Sequence, residues 1–415
     1  MPRENASTTL TTAQIGLFVL APFALGFFLS NMFGAVNAIV APDLVRDMGL
    51  SASELGFVTS AYLFGFALFQ IPLGLLLDRF GPRRVQAALV CVSALGALLF
   101  SWVGGLAGLF LARMLIGLGS AGALMSGFKA VTLWVPKERW ALANGIISAA
   151  GGLGFFAATL PADFLVQQLG WRGLFGVLSA FALAVAAIIF FASPRERASK
   201  APEPLADQLS ATMSIYTSKV FWIVAPLAGI TMGVHFSTQT LWAGPWMRDM
   251  AGLARDGVAH QLSLMALAFL IGTLLIGVAG DRLGRKGISL LSAMAGILAI
   301  FFIAQLAVIF NVPGTVPAGW FTYALLGQAG ILAFPWLAAH YGAHLAARSN
   351  TALNLFAFVA AFITQYGFGT IIDLWPQTTS GGYAPQGYQA ALGVFLAVQV
   401  LAFVWFIARR KSARD

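Results

Sequence analysis

Long apolar runs recur along the chain, separated by short breaks that contain charged residues, proline or glycine. A helix needs about 20 apolar residues to cross the ~30 Å hydrocarbon layer of a membrane. The runs are continuously apolar, whereas strands of a membrane barrel alternate over about ten residues. The pattern predicts an all-α integral membrane protein whose twelve transmembrane helices lie near residues 15–40, 54–77, 85–105, 107–134, 140–161, 172–192, 219–243, 260–280, 288–310, 318–339, 350–373 and 389–408.

Composition supports the same class. Of 415 residues, 59% are hydrophobic and 9% are charged, against ~25% charged residues in ordinary soluble domains. The polar opening MPRENASTTLTTAQ leads into an apolar run that is too long for a signal peptide, so we expect this segment to be retained. The single cysteine, Cys91, cannot form an intramolecular disulfide.

The net charge of +9 follows a membrane pattern. Basic residues concentrate in alternate breaks, and cytoplasmic loops of membrane proteins carry the excess of Lys and Arg. The poorer set of breaks contains Arg46, Arg172, Arg248 and Arg255. We therefore expect a multi-pass protein of the inner (plasma) membrane with both termini in the cytoplasm, and no nucleic-acid partner.

A charged motif occurs twice, after the second and after the eighth predicted helix. Asp281 lies 203 residues after Asp78, so the chain repeats itself. The segment 193–218 is rich in charge, proline and serine and divides the helices into two sets of six. The two copies contain Gly74, Asp78, Arg79, Gly81, Arg83 and Arg84, and Gly277, Asp281, Arg282, Gly284, Arg285 and Lys286.

This motif, G-x-x-x-D-R-x-G-x-R-R, resembles the signature loop of the major facilitator superfamily. In the fourth predicted helix, Arg113 with Gly117 and Gly119 is similar to the R-x-x-x-G-x-G pattern of that superfamily. The resemblance implies two pseudo-symmetric six-helix bundles, at 1–192 and 219–415, joined by a cytoplasmic linker at 193–218. It also implies alternating access to a central cavity lined by the first, fourth, seventh and tenth helices, with the two loops as conformational latches.

Polar residues within the predicted spans are the candidates for substrate binding or coupling, because ionisable groups are costly inside a membrane. Arg113 lies about six residues inside the fourth span, and Lys129 lies near its cytoplasmic end. His235 could exchange a proton near neutral pH, and Gln239 follows it by one turn. Hydrogen-bonding groups in other spans are Asn31, Asn37, Gln328 and Asn354.

No carboxylate is predicted at mid-membrane, and this favours an anionic cargo. Our hypothesis is a monomeric secondary transporter of a small organic anion, in particular a carboxylate, with protons as a candidate coupling ion. Two alternatives stay open. The first is a proton-coupled exporter of drugs or lipophilic cations, and the second is a membrane scaffold or sensor that transports nothing.

Other chemistries have weaker signals. We expect no cofactor and no resident metal, although Met232, Met247, Met250 and Met265 near His235 could suit a soft metal as cargo. His340 and His344 are spaced to share a helix face, but no acidic or Cys ligand accompanies them. A membrane enzyme would need a nucleophile, metal cluster or paired carboxylates at depth, and we expect none.

Overall fold

The computed structural model describes residues 11–195, 210, 213–342, 345–378 and 381–410. Nearly all of these residues are helical, and they contain twelve helices that are long and apolar enough to cross a membrane. The prediction of an all-α membrane protein is therefore confirmed. Most of the predicted linker 193–218 lies outside the described residues, so the domain boundaries stay predictions.

The first six helices form the N half. Helix α1 (Thr12–Ala35) continues as Asn37–Met48 after a break at Val36. One helical run, Ala52–Trp102, is divided at Gly81 into α2 (52–80) and α3 (82–102), because Gly81 has a non-helical backbone (φ 76°, ψ 164°). Helix α4 comprises Leu106–Ser120 and Ala123–Trp134.

Helix α5 is longer than the sequence pattern predicts. It comprises Trp140–Ala157 and resumes at Leu160, continuing to residue 169, where Gly170 (φ 70°, ψ 170°) separates it from α6 (171–192). The predicted end near residue 161 was therefore too early. Pro161 is tolerated because it lies in the first turn of the resumed helix, where its missing N–H has no intrahelical partner to lose.

The last six helices form the C half. Helix α7 runs through Lys219–Ser237, Thr238–Trp242 and Ala243–Asp249, and α8 is Arg255–Arg285. Helix α9 is Leu290–Ile309, and α10 comprises Val316–Leu326, Gly327–Leu332 and Ala333–Tyr341. Helices α11 (Ala346–Ile372) and α12 (Pro385–Arg409) complete the half.

The four helices that the resemblance places around the cavity are all irregular in mid-course. Helix α1 breaks at Val36 and α4 breaks after Ser120. Helix α7 carries a π-helical turn over Thr238–Trp242, and α10 carries a 3-10 segment over Gly327–Leu332. Such departures from α-helix free backbone groups and often mark hinges or binding sites.

Small residues let neighbouring helices approach closely within each half. A Cβ on Gly117, in the R-x-x-x-G-x-G pattern, would lie 1.9 Å from the Tyr62 carbonyl oxygen of α2. In the C half, a Cβ on Gly272 of α8 would lie 2.0 Å from the Leu325 carbonyl oxygen of α10. Because lipid provides no hydrophobic force between helices, this close backbone packing holds each bundle together.

Candidate transport site

Arg255, at the start of α8, joins the two halves at one end of the molecule. Its Nε donates to Asp163 Oδ1 at 2.6 Å, and its Nη1 lies 3.0 Å from Asp43 Oδ2. Both carboxylates belong to the N half and are buried, with side chains 4% and 8% exposed. We call Arg255, Asp43 and Asp163 the clasp, and the end of the molecule where they lie the clasp end.

A second contact between the halves lies at the same end. Asp373, just after α11, accepts hydrogen bonds from the backbone N–H groups of Ala52 and Ser53, at 2.9 and 2.8 Å. These groups belong to the first turn of α2, where helix N–H groups have no intrahelical partner and favour negative charge. Further along, the Ser263 hydroxyl of α8 donates to Thr159 Oγ1 at 2.8 Å. The two halves are thus bonded to each other at the clasp end.

Five phenylalanines connect the halves near the middle of the spans. Phe66 stacks on Phe358 with ring centres 4.2 Å apart, and Phe358 contacts Phe236 at 6.0 Å. Phe155 contacts Phe236 at 6.3 Å and Phe269 at 4.8 Å. Phe66 and Phe155 belong to the N half and the other three to the C half. We call this set the aromatic seam.

Amide side chains lie on both sides of the aromatic seam. Asn37 and Gln239, on the side toward the clasp, are 2% and 7% exposed, and the carbonyl oxygen of each has no hydrogen-bond partner among the described residues. On the other side Asn31 and Asn354 are half-buried, and Asn31 Nδ2 donates to the Phe27 carbonyl at 2.9 Å. Gln328 is 8% exposed, in the 3-10 segment of α10.

Arg113 is completely buried inside the N half. Its Nη1 donates to the Phe33 carbonyl at 3.3 Å, and its guanidinium carbon lies 4.6 and 4.9 Å from the ring centres of Phe100 and Phe175. Within the described chain, Nε and Nη2 have no hydrogen-bond partner. Phe33 lies just before the break in α1 and Asn37 just after it. Arg113 therefore contacts the turn that leads to the amides on the clasp side.

His235 is completely buried inside the C half. Its ring lies 6.2, 6.1 and 5.2 Å from those of Phe269, Phe301 and Tyr323. A Cβ on Gly327 of α10 would lie 1.9 Å from its Nδ1, so the imidazole occupies the space that the glycine leaves. Neither ring nitrogen has a hydrogen-bond partner in the described part of the chain. Arg113 and His235 are each enclosed by their own half and do not form one site.

Lys129 and Asp78, which the sequence placed in two different candidate groups, form an ion pair. Lys129 Nζ donates to Asp78 Oδ1 at 2.9 Å, and the side chains are 36% and 43% exposed. The pair joins α4 to the end of α2 within the N half. Lys129 therefore belongs to the signature-loop end of the molecule, which we call the loop end.

The remaining loop residues differ in exposure. Arg83 is buried, and its Nη1 donates to the Phe190 carbonyl at 2.6 Å. The other charged residues and the glycines of both loops are exposed or half-buried, namely Gly74, Arg79, Gly81, Arg84, Gly277, Asp281, Arg282, Gly284, Arg285 and Lys286. A cavity of about 520 Å³ opens at the loop end of the C half, beside Trp336, Phe406 and Arg410.

Sequence reasoning missed the clasp and the aromatic seam. Asp43 and Arg255 lie far apart in sequence, and both sit at helix ends, where charged residues ordinarily indicate only topology. One local signal was available for Asp163, since this carboxylate is surrounded by apolar residues in LPADFLV. Phenylalanine is too common in membrane spans for five particular residues to be singled out without coordinates.

The sequence profile described as Major Facilitator Superfamily matches residues 23–365. The chain belongs to the major facilitator superfamily. The match extends over both halves and over both copies of the signature loop, so the resemblance that the motifs indicated is confirmed. The protein is a multi-pass membrane transporter by family.

Curated relatives are similar over most of their length. The "Probable sulfoacetate transporter SauU" of Cupriavidus necator is 26% identical over 297 residues, which cover 68% of this chain and 69% of the relative. The "Probable galactarate/D-glucarate transporter GudP" of Escherichia coli K12 is 24% identical, covering 89% and 88%. The "Niacin transporter NiaP" of Acinetobacter baylyi is 24% identical, covering 89% and 80%.

Solved structures share the fold. A bacterial homologue of the human lysosomal transporter Spinster, in an inward-facing and unoccupied conformation, has a TM-score of 0.77 at 17% identity, covering 96% of this chain and 98% of that one. A D-xylose–proton symporter has a TM-score of 0.70 at 17% identity, covering 93% and 96%. The pseudo-symmetric twelve-helix architecture that the sequence predicts is therefore confirmed.

Proposed function

We propose that this protein is a secondary transporter of small organic anions, carboxylates in first place, and that it works by alternating access in the inner membrane with both termini in the cytoplasm. Arg113 is the observation that carries the proposal. A guanidinium buried at membrane depth is costly unless it is paired. Among the described residues no carboxylate contacts Arg113, and two of its nitrogens are unbonded. A bound anion would supply the missing charge.

The relatives support the same class of cargo. Their names include a sulfonated acid, two sugar diacids and niacin, all of which are small organic acids that are anionic at neutral pH. Amides suit such cargo because they can donate to carboxylate oxygens and bond to hydroxyl groups in either direction. Asn37 and Gln239, with unbonded carbonyl oxygens, have this capacity, and Asn37 directly follows the turn that Arg113 contacts.

The different burial of the two pairs of amides is consistent with alternating access. With the clasp formed, Asn37 and Gln239 are buried, while Asn31 and Asn354 across the aromatic seam are half-buried. In the proposed orientation the clasp faces outward, so the protein is closed to the outside. Parting the halves at the clasp end would expose the first pair of amides from the outside and bring the second pair together.

Thermal unfolding of the purified protein with added ligands tests which cargo it binds. We expect D-glucarate, D-galactonate, sulfoacetate or nicotinate to stabilise the purified protein by about 2.7 kcal/mol at 100 times its dissociation constant. Arg113→Gln should abolish that shift, and Arg113→Lys should weaken it. The matched control is Arg172→Gln, because Arg172 also packs on an aromatic ring of the N half, 4.1 Å from the ring centre of Trp171, and should leave the shift intact.

Two results would contradict the proposal. In the first, only lipophilic cations stabilise the protein, which would favour the exporter alternative. In the second, an acid stabilises Arg113→Gln as strongly as the unmodified protein. Size-exclusion profiles establish beforehand that each variant is folded. Counterflow of the stabilising acid in proteoliposomes then separates a transporter from a scaffold that only binds the acid.

A further inference from the structure

The rings of the aromatic seam are not sealed inside either half. Phe155 is 4% exposed, but Phe66, Phe236, Phe269 and Phe358 are half-buried. Phe66 and Phe358 lie nearly parallel, with an interplanar angle of 22° and ring centres 4.2 Å apart. Because these two rings belong to opposite halves, they separate when the halves part. Each ring then presents a flat apolar face to a molecule that enters between the halves.

Hydrogen-bonding amides lie next to the seam rings. On α7, Gln239 follows Phe236 by three residues, and on α11, Asn354 precedes Phe358 by four. Residues at these spacings share a helix face. Gln239 Oε1 has no hydrogen-bond partner in the described part of the chain. The C half therefore combines a ring with an amide on each of two helices.

The seam is also connected to the segment of α4 that carries Arg113. Phe66 follows Tyr62 by one turn of α2, with ring centres 6.2 Å apart. A Cβ on Gly117, one turn after Arg113, would lie 1.9 Å from the Tyr62 carbonyl oxygen. Along the helix axes Arg113 and Phe66 are thus about two turns, or ~11 Å, apart. The arginine side chain and an acid with one ring can span this distance together.

Arg113 provides one positive charge at membrane depth, and the described residues add no second one. The one other buried Arg or Lys in the described chain is Arg83, which lies at the loop end and donates to the Phe190 carbonyl. In the C half, no described Arg or Lys is buried. A buried carboxylate without a counter-charge is costly. The interior therefore balances one carboxylate and not two.

We propose that the preferred cargo is a planar aromatic monocarboxylate, of which benzoate and nicotinate are the simplest examples. Its carboxylate takes the place that the proposed function assigns to the anion, and its ring stacks on Phe66 or Phe358 once these rings have separated. The inference rests on the proposed function and narrows it. The sugar diacids in the names of some relatives have two carboxylates and no aromatic ring.

The seam rings also disfavour a hydroxylated cargo. A sugar acid carries several hydroxyl groups, and burial of a hydroxyl group without a hydrogen-bond partner is unfavourable. Phenylalanine rings provide no such partner. An aromatic cargo instead forms the same kind of offset-stacked contact that Phe66 and Phe358 lose when the halves part. Its ring therefore replaces an interaction that opening removes.

Binding of matched acids to the unmodified protein tests the proposal. Titration calorimetry compares benzoate and nicotinate with cyclohexanecarboxylate, which keeps the charge but lacks the aromatic face, and with terephthalate, which adds a second carboxylate. We expect benzoate to bind about three- to tenfold more tightly than cyclohexanecarboxylate, since an aromatic pair adds affinity beyond its buried area. Terephthalate and D-glucarate should bind about tenfold or more weakly than benzoate, because their second carboxylate has no counter-charge.

Two phenylalanines of α11 provide a matched pair of variants. Phe358→Leu removes a seam ring and should reduce the preference for benzoate over cyclohexanecarboxylate to about twofold or less. Phe362, one turn further along, also contacts a phenylalanine of the N half, but this partner, Phe64 at 5.8 Å, is 42% exposed. Phe362→Leu should therefore leave the preference unchanged. Phe358→Tyr keeps the ring, and it should keep the preference even if Phe358→Leu fails to fold.

Three results would overturn the proposal: D-glucarate or D-galactonate binds more tightly than benzoate and nicotinate, benzoate and cyclohexanecarboxylate bind equally, or Phe358→Leu and Phe362→Leu reduce the preference equally. If the first result is obtained and the binding is lost in Arg113→Gln, the proposed function stands with a different cargo. By contrast, binding of lipophilic cations alone would reject the proposed function together with this inference.

Discussion

Asp78 and Asp281 occupy the same place in the two copies of the signature loop, but their surroundings differ. Asp78 is half-buried and pairs with Lys129 of α4 at 2.9 Å. Asp281 is exposed. The aspartate of the motif is therefore bonded to a neighbouring helix in the N half, whereas the corresponding aspartate in the C half is exposed at the surface.

The next charged position shows the same contrast. Arg83 is 6% exposed, donates to the Phe190 carbonyl at 2.6 Å and lies 4.9 Å from that ring centre. Lys286, its counterpart by the repeat, is exposed. In the C half a cavity of about 520 Å³ lies beside Phe406, near the end of the last helix, much as Phe190 lies near the end of the sixth. A sequence repeat thus preserves residue types while tertiary contacts diverge.

Removal of the buried arginine should have the largest effect. Arg83→Ala leaves the Phe190 carbonyl without this donor and removes a cation–π contact, so we expect a loss of about 2–4 kcal/mol of stability. Lys286→Ala, at the matched position, should stay within about 0.5 kcal/mol. Thermal unfolding of both purified variants measures the difference. Equal shifts would show that the two loops are equivalent after all.

The paired glycines should respond with opposite signs. Gly81 has φ 76° and ψ 164°, a conformation essentially restricted to glycine, so Gly81→Ala should cost about 1–3 kcal/mol. Gly284 lies inside α8, and a Cβ there would meet open space, so Gly284→Ala should gain about 0.5–1 kcal/mol. The same unfolding assay applies. A loss of stability in Gly284→Ala would mean that the second loop is also constrained.

The ion pair should have the smallest effect on stability. Because Lys129 and Asp78 are each more than a third exposed, Asp78→Asn should cost no more than about 1 kcal/mol, and Asp281→Asn should cost nothing measurable. The reversed pair, Asp78→Lys with Lys129→Asp, should recover the loss. If the reversed pair is less stable than either single variant, the attraction between the two charges does not explain the contact.

The architecture could be predicted because membrane physics leaves few choices. A span needs about 20 apolar residues, so the charged breaks between spans are easily recognised in the sequence. The loop motif then indicated the family and the division into halves. The predicted ends were wrong where a helix continues past a proline or a charged residue, because such a residue near the end of a span is interpreted as the end of the helix. Helix α1 continues to Met48, and α5 continues to residue 169.

The side-chain partners could not be predicted, since they depend on how helices distant in sequence face each other. The sequence placed Arg113 in a cavity-lining helix. It did not predict the contacts of Arg113 with Phe100 and Phe175, which belong to two other helices. Likewise, nothing in the sequence paired Lys129 with Asp78. The roles of the candidate site residues therefore stay predictions, although their positions are now known.

The bond between Asp373 and the start of α2 has a consequence for hydrogen exchange. Ser51 and Glu54 cap this helix through local bonds that stay within the N half, but the amides of Ala52 and Ser53 depend on a carboxylate of the C half. Each parting of the halves would leave these two amides open to solvent. The rate at which these two amides exchange with deuterium would therefore report how often the halves part, without an attached label or a substrate.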